Sequence, residues 1–102
     1  MISTEVDADN TIVKINLPEK FDFRIHREFR AAYDHTENKD KYFVINLANT
    51  KYMDSSALGM LLLLREFTGS DSGLERVKIV NACDDVRDIL RISKFEKLFQ
   101  IQ

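Results

Sequence analysis

Three polar residues, Asp54-Ser55-Ser56, stand directly before the most apolar stretch of the chain, Ala57-Leu58-Gly59-Met60-Leu61-Leu62-Leu63-Leu64. Aspartate and serine oxygens accept the free N–H groups of a helix's first turn, so the triplet reads as the N-terminus of an apolar helix. That end of a helix carries partial positive charge and unsatisfied donors, and it tolerates added anionic charge, phosphate included. A serine placed there could carry a phosphoryl group, about 1.5–2 negative charges at neutral pH, without unfolding its own helix. Capping alone is the commoner use of such a triplet.

The other reactive side chains form no constellation. His26 and His35 lie nine residues apart, without histidine or cysteine companions at ligand spacing, so no metal site is expected. Cys83 is the single cysteine and has no basic neighbour; it is expected to be a buried structural thiol. It cannot form an intramolecular disulfide, which suits a reducing compartment. Asp84, Asp85 and Asp88 cluster where carboxylates favour a helix start, and Arg24, Arg27 and Arg30 read as a solvated helix face. A hydrolase built on Ser55 or Ser56 would need a base and an oxyanion hole. The chain has no Gly-x-Ser-x-Gly elbow, and both histidines belong to an earlier segment. No catalytic residue and no cofactor are therefore expected.

A length of 102 residues suits a single domain spanning 1–102. Hydrophobic residues make up 44% and charged residues 31%, a balance that argues against disorder. The net charge of −2 leaves no basic footprint for direct nucleic-acid binding and no polybasic segment for anionic lipid. The N-terminus lacks a positive region followed by an apolar stretch, so no signal peptide is expected. The longest apolar run, Met60 to Leu64, is far below the roughly 20 residues a membrane span needs. A cytoplasmic location without membrane insertion is expected.

Alternation places Val13, Ile15 and Leu17 on one face of a strand over 11–17, ended by Pro18. A shorter strand around Ile2–Val6 precedes it through an Asp7–Asn10 turn, making a hairpin. Asp22 is a plausible N-cap for a helix to about Thr36, with Ile25, Phe29, Ala32 and Tyr33 as its apolar stripe. Glu37–Lys41 is read as a loop. Tyr42–Leu47 is apolar on both faces and predicts a central strand covered on both sides. Ala48–Met53 is a loop, and a helix follows from about Ser55 to Phe67. Leu58, Met60, Leu61, Leu62 and Phe67 supply mainly core, while some of Met60, Leu63 and Leu64 are expected to line an exposed patch. Gly69–Gly73 is a breaker, Val77–Asn81 a strand, and Asp84 or Asp85 starts a helix to about Ile92. Phe95, Leu98, Phe99 and Ile101 form a tail that packs back. The prediction is an α/β fold in the order β-β-α-β-α-β-α plus tail, one mixed sheet of four or five strands with helices against it.

Asn46-Leu47-Ala48 at a strand end, followed by Met53-Asp54-Ser55-Ser56-Ala57-Leu58-Gly59, resembles the signature of STAS-domain anti-sigma-factor antagonists. In that family a buried strand ends in Asp-Leu-Ser and a short loop leads to Asp-Ser-Ser-Gly-Leu-Gly. Val77–Asn81 with Ala82–Leu90 resembles the family's fourth strand and following helix, and the match runs over about residues 10–101. The resemblance implies that Ser56, with Ser55 as second choice, is the phosphoacceptor of a bacterial signal-transduction protein that regulates transcription. It implies partner switching. The unphosphorylated domain binds an anti-sigma factor, often one with an ATP-dependent serine kinase fold, and frees the sigma factor. Phosphorylation ejects the domain, and a serine phosphatase resets it. Asp54, Ser55, Ser56, Ala57 and Met60 are the expected partner-binding residues of a monomer or weak dimer. Two positions depart from the pattern. Ala57 stands where glycine is frequent, and Asn46 stands where aspartate is common, which removes a negative charge near the loop. A constitutive STAS adaptor subunit, for instance of a lipid-transport ATPase, is the competing reading.

Overall fold

The computed structural model describes residues 2–38, 40–69 and 76–102. Five strands form the main sheet: β1 (Ser3–Val6), β2 (Ile12–Asn16), β4 (Tyr42–Asn46), β6 (Val77–Val80) and β7 (Gln100–Ile101), in the spatial order β1-β2-β4-β6-β7. β1 runs antiparallel to β2, and the remaining pairs are parallel, so the sheet is mixed, as expected. Two further strands of two residues each, β3 (Lys20–Phe21) and β5 (Tyr52–Met53), pair in parallel as a separate ladder. The helices are α1 (His26–Tyr33), α2 (Ser55–Phe67) and α3 (Asp84–Ile92). Among the described residues no helix is long and apolar enough to cross a membrane.

From β2 onward the strand order advances in one direction without reversing. Right-handed crossovers then put every connecting helix on the same face. The core lies between that face and the helices. It joins Val13, Ile15, Leu17, Phe43, Ile45, Leu47, Val77 and Ile79 of the sheet to Phe29, Tyr33, Leu61, Leu64, Val86 and Leu90 of the helices. The tail closes one end through Phe95 and Phe99, whose rings stack at 5.3 Å.

The opposite face is not covered by helices, which corrects the expectation for Tyr42–Leu47. β4 is central, and Phe43, Ile45 and Leu47 are fully buried, but Tyr42 is 46% exposed. Val44 on the open face pairs in register with Lys14 on one side and Lys78 on the other. Long lysine stems can shelter an apolar neighbour while keeping their charge in water, so an apolar run need not mean two packed layers.

The first helix is shorter than predicted. Asp22 does cap, accepting the Arg24 N–H at 3.0 Å, but the turn it caps is a 3-10 turn over Phe23–Ile25. Ile25 (φ −102°, ψ 12°) interrupts it before α1 begins, and α1 stops at Tyr33 because Asp34 (φ −79°, ψ 66°) leaves helical space. His35 therefore lies beyond the helix, and Thr36–Asn38 forms another 3-10 turn across the end of the predicted helix and the start of the predicted loop. Of the predicted glycine-rich breaker, Gly69 is seen at φ 67° with its N–H on the Glu66 carbonyl, and residues 70–73 lie outside the described residues.

Candidate functional site

The loop after β4 is held at both ends. At its start the Leu47 N–H donates to the Val80 carbonyl and Thr50 N–H to the Leu47 carbonyl; the Thr50 hydroxyl donates to the Pro18 carbonyl at 2.8 Å. At its end β5 pairs with β3, which makes two residues of the predicted loop a strand. Met53 is 3% exposed and Ala57 is fully buried, so the polar triplet Asp54-Ser55-Ser56 is bracketed by two core anchors.

Asp54 is the N-cap of α2. Its backbone is extended (φ −117°, ψ −176°) and its Oδ1 accepts the Ala57 N–H at 3.1 Å. The same Oδ1 accepts the Ser56 hydroxyl at 2.6 Å. Ser55 is exposed and Ser56 is half-buried, with its hydroxyl proton already directed at the Asp54 carboxyl group. The short contact to a carboxyl oxygen marks a strong hydrogen bond.

Two residues expected to meet a partner do not present their side chains. Ala57 is fully buried, and Met60 is 7% exposed and belongs to the core, as does Leu64. A helix turning 100° per residue shows only one stripe, and here the outward stripe is Ser55, Gly59, Leu62 and Leu63, with both leucines 40% exposed or more. The preference for Met60 followed from apolar composition, which does not say which side of the helix a residue occupies.

Gly59 is the glycine of this stripe. A methyl group built there would meet nothing within 4 Å. Glycine inside a helix costs about 0.5–1 kcal/mol relative to alanine, and no contact among the described residues explains its use. We expect Gly59→Ala to raise stability by about that amount in urea denaturation while weakening binding of any partner that lies across α2. A destabilised Gly59→Ala protein would show that the helix itself needs the glycine.

Asn46 ends β4 on the open face and joins an amide chain across three parallel strand ends. Asn81 Nδ2 donates to Asn46 Oδ1 at 2.8 Å, Asn46 Nδ2 donates to Asn16 Oδ1 at 2.8 Å, and Asn16 Nδ2 donates to Ser3 Oγ and Glu5 Oε2 at 3.0 and 2.8 Å. Asn46 Oδ1 also accepts the Ala48 N–H at 3.1 Å, which fixes the first residue of the loop. A carboxylate could accept but not donate, so it would oppose the Asn16 oxygen. Asn46→Asp is expected to cost about 1–3 kcal/mol at neutral pH. Part of that loss should return below about pH 4, where the acid regains a hydrogen to donate. A pH-independent loss in chemical denaturation would refute this account.

Beside the site, Asp22 holds the Arg24 side chain through Nε at 3.1 Å and Nη2 at 2.7 Å. The Arg24 hydrogen bond keeps the Asp22 carboxyl below the ordinary carboxylate range, and the same bond raises the guanidinium. Arg24 is solvated, as expected, with its side chain 70% exposed, and the β3–β5 ladder sets the Asp22 that holds it next to Asp54. Cys83 is exposed rather than buried, at the start of α3, with its thiol 3.6 Å from the Thr50 carbonyl. His26 and His35 each bind a nearby backbone carbonyl, of Phe23 and Ala31. Among the described residues no group of three acidic, histidine or cysteine side chains could hold a metal ion.

The match to known families decides the affiliation. The STAS domain model matches residues 3–102. The chain belongs to the STAS-domain family. A STAS-domain containing protein of Pseudomonas aeruginosa is 43% identical over 94 residues, covering 92% of this chain and 91% of the relative. The fold is also that of the anti-sigma factor antagonist SpoIIAA in its unphosphorylated form (TM-score 0.77, 18% identity, covering 100% of this chain and 88% of the other). The phosphorylated form of Bacillus SpoIIAA aligns with a TM-score of 0.72 and 18% identity, covering 100% of this STAS chain and 91% of the other. A putative anti-sigma factor antagonist of Thermotoga maritima aligns with a TM-score of 0.77 and 20% identity, covering 98% of this chain and 84% of the other.

Proposed function

We propose that this STAS domain is an anti-sigma-factor antagonist that works by partner switching, with Ser56 as its phosphoacceptor. The observation that carries this reading is the Ser56 hydroxyl at the capped start of α2, half-buried, donating to Asp54 at 2.6 Å between two buried anchors. A kinase would form a P–O bond to Ser56 Oγ, break the γ-phosphoryl bond of ATP, release ADP and remove the hydroxyl proton. The domain is then a kinase substrate and a binding module rather than an enzyme. Its unphosphorylated form binds the anti-sigma factor, through Asp54, Ser55, Ser56 and the outward stripe of α2. A dianion at the centre of that contact is expensive to desolvate and drives release, until a serine phosphatase restores the hydroxyl. Placing this cycle in the bacterial cytoplasm follows from the same reading.

Intact mass and phosphopeptide mapping of the protein from growing and stressed cells test it. A single phosphate on Ser56 whose occupancy changes between states is the expected result. A protein unmodified in every state would overturn the switch and favour a constitutive adaptor.

A further inference from the structure

The ladder between β3 and β5 brings two helix caps together. Its parallel register pairs Lys20 with Tyr52 and Phe21 with Met53, so the next residues, Asp22 and Asp54, follow side by side. Both are still extended (φ −139°, ψ −173° and φ −117°, ψ −176°), and each caps the helical turn it precedes. Asp22 is nearly buried, with its side chain 12% exposed, whereas the Arg24 side chain it holds is 70% exposed. The anion is nearly enclosed, and the cation it holds is at the surface. Behind the dominant Asp22 bond, Asp54 also acts electrostatically on the Arg24 guanidinium.

Phosphorylation would disturb this arrangement at one atom. As a phosphate ester, Ser56 Oγ has no hydrogen, so its 2.6 Å bond to Asp54 is lost. Asp54 would then face about 1.5–2 negative charges across the same short distance. The α2 N-terminus offsets part of that charge, and its Ala57 N–H is already shared with Asp54. A guanidinium can bind phosphate in two-point fashion. We propose that Arg24 is the counter-ion of phosphorylated Ser56, exchanging its side-chain bonds to Asp22 for the phosphate while Asp22 keeps its cap on the Arg24 N–H. This rests on Ser56 being the phosphoacceptor.

The test installs phosphoserine directly at position 56 by genetic encoding and follows its titration by phosphorus NMR. With Arg24 present the second phosphate ionisation should fall about 0.5–1 pH unit below its value in Arg24→Gln, with Arg24→Lys between. The Arg24 Nε–H resonance should shift on phosphorylation. Melting curves of the unphosphorylated variants establish that each is folded. Identical titrations with an unmoved Nε–H signal would overturn the role of Arg24 and leave the phosphoacceptor assignment standing. Because the phosphoserine is genetically encoded, the outcome does not depend on whether cells phosphorylate Ser56.

Discussion

Ser56→Glu is expected to weaken binding of the proposed anti-sigma partner by about 30-fold or more, while Ser56→Ala binds nearly as tightly as wild type. The magnitude follows from burying an unpaired charge in an interface, about 2–5 kcal/mol. The asymmetry follows from local geometry. Alanine removes only the hydroxyl's bond to Asp54, and the Asp54 cap on Ala57 survives because it uses the backbone N–H. Glutamate places a second carboxylate beside Asp54, so both desolvation and repulsion oppose docking. Calorimetric titration against a partner captured on the Ser56→Ala protein reads the difference. A glutamate variant binding within about threefold of wild type would end the electrostatic account.

Phe43→Ala should cost about 3–5 kcal/mol of folding stability. Phe43 is fully buried in the central strand, pairs in register with Val13 and Val77, and meets the Tyr33 ring edge-on at 6.4 Å. Domains of this size are stable by about 5–15 kcal/mol, so one truncation removes a large share. Urea denaturation should show the midpoint falling with the slope unchanged. A loss under about 1 kcal/mol would mean that the core collapses to fill the space.

Where periodicity is long and regular, the chain is legible. α2 runs from Ser55 to Phe67 as its cap and apolar run predict, and the alternation of Val13, Ile15 and Leu17 identifies the buried face of β2. The Asp54–Ser56 cap is local chemistry and could be read from neighbouring residues alone. Features created by tertiary pairing could not. β3 and β5 are two residues each, too short for a pattern, yet they set the Arg24 side chain beside the site. The amide chain through Asn16, Asn46 and Asn81 joins three distant segments. Helix faces mattered as well: Met60 and Leu63 look alike in composition, but one lies in the core and the other in water.

The bracketing of the triplet by Met53 and Ala57 would tie the proposed modification to conformational integrity. Both anchors are buried in the folded core, one on the β3–β5 ladder and the other on α2. An unfolded or nascent chain carries the same Asp-Ser-Ser letters but has no helix end, no oriented hydroxyl and no neighbouring cap. A modifying enzyme that recognises the capped turn therefore counts only mature molecules, and its signal reports the supply of competent protein rather than of polypeptide.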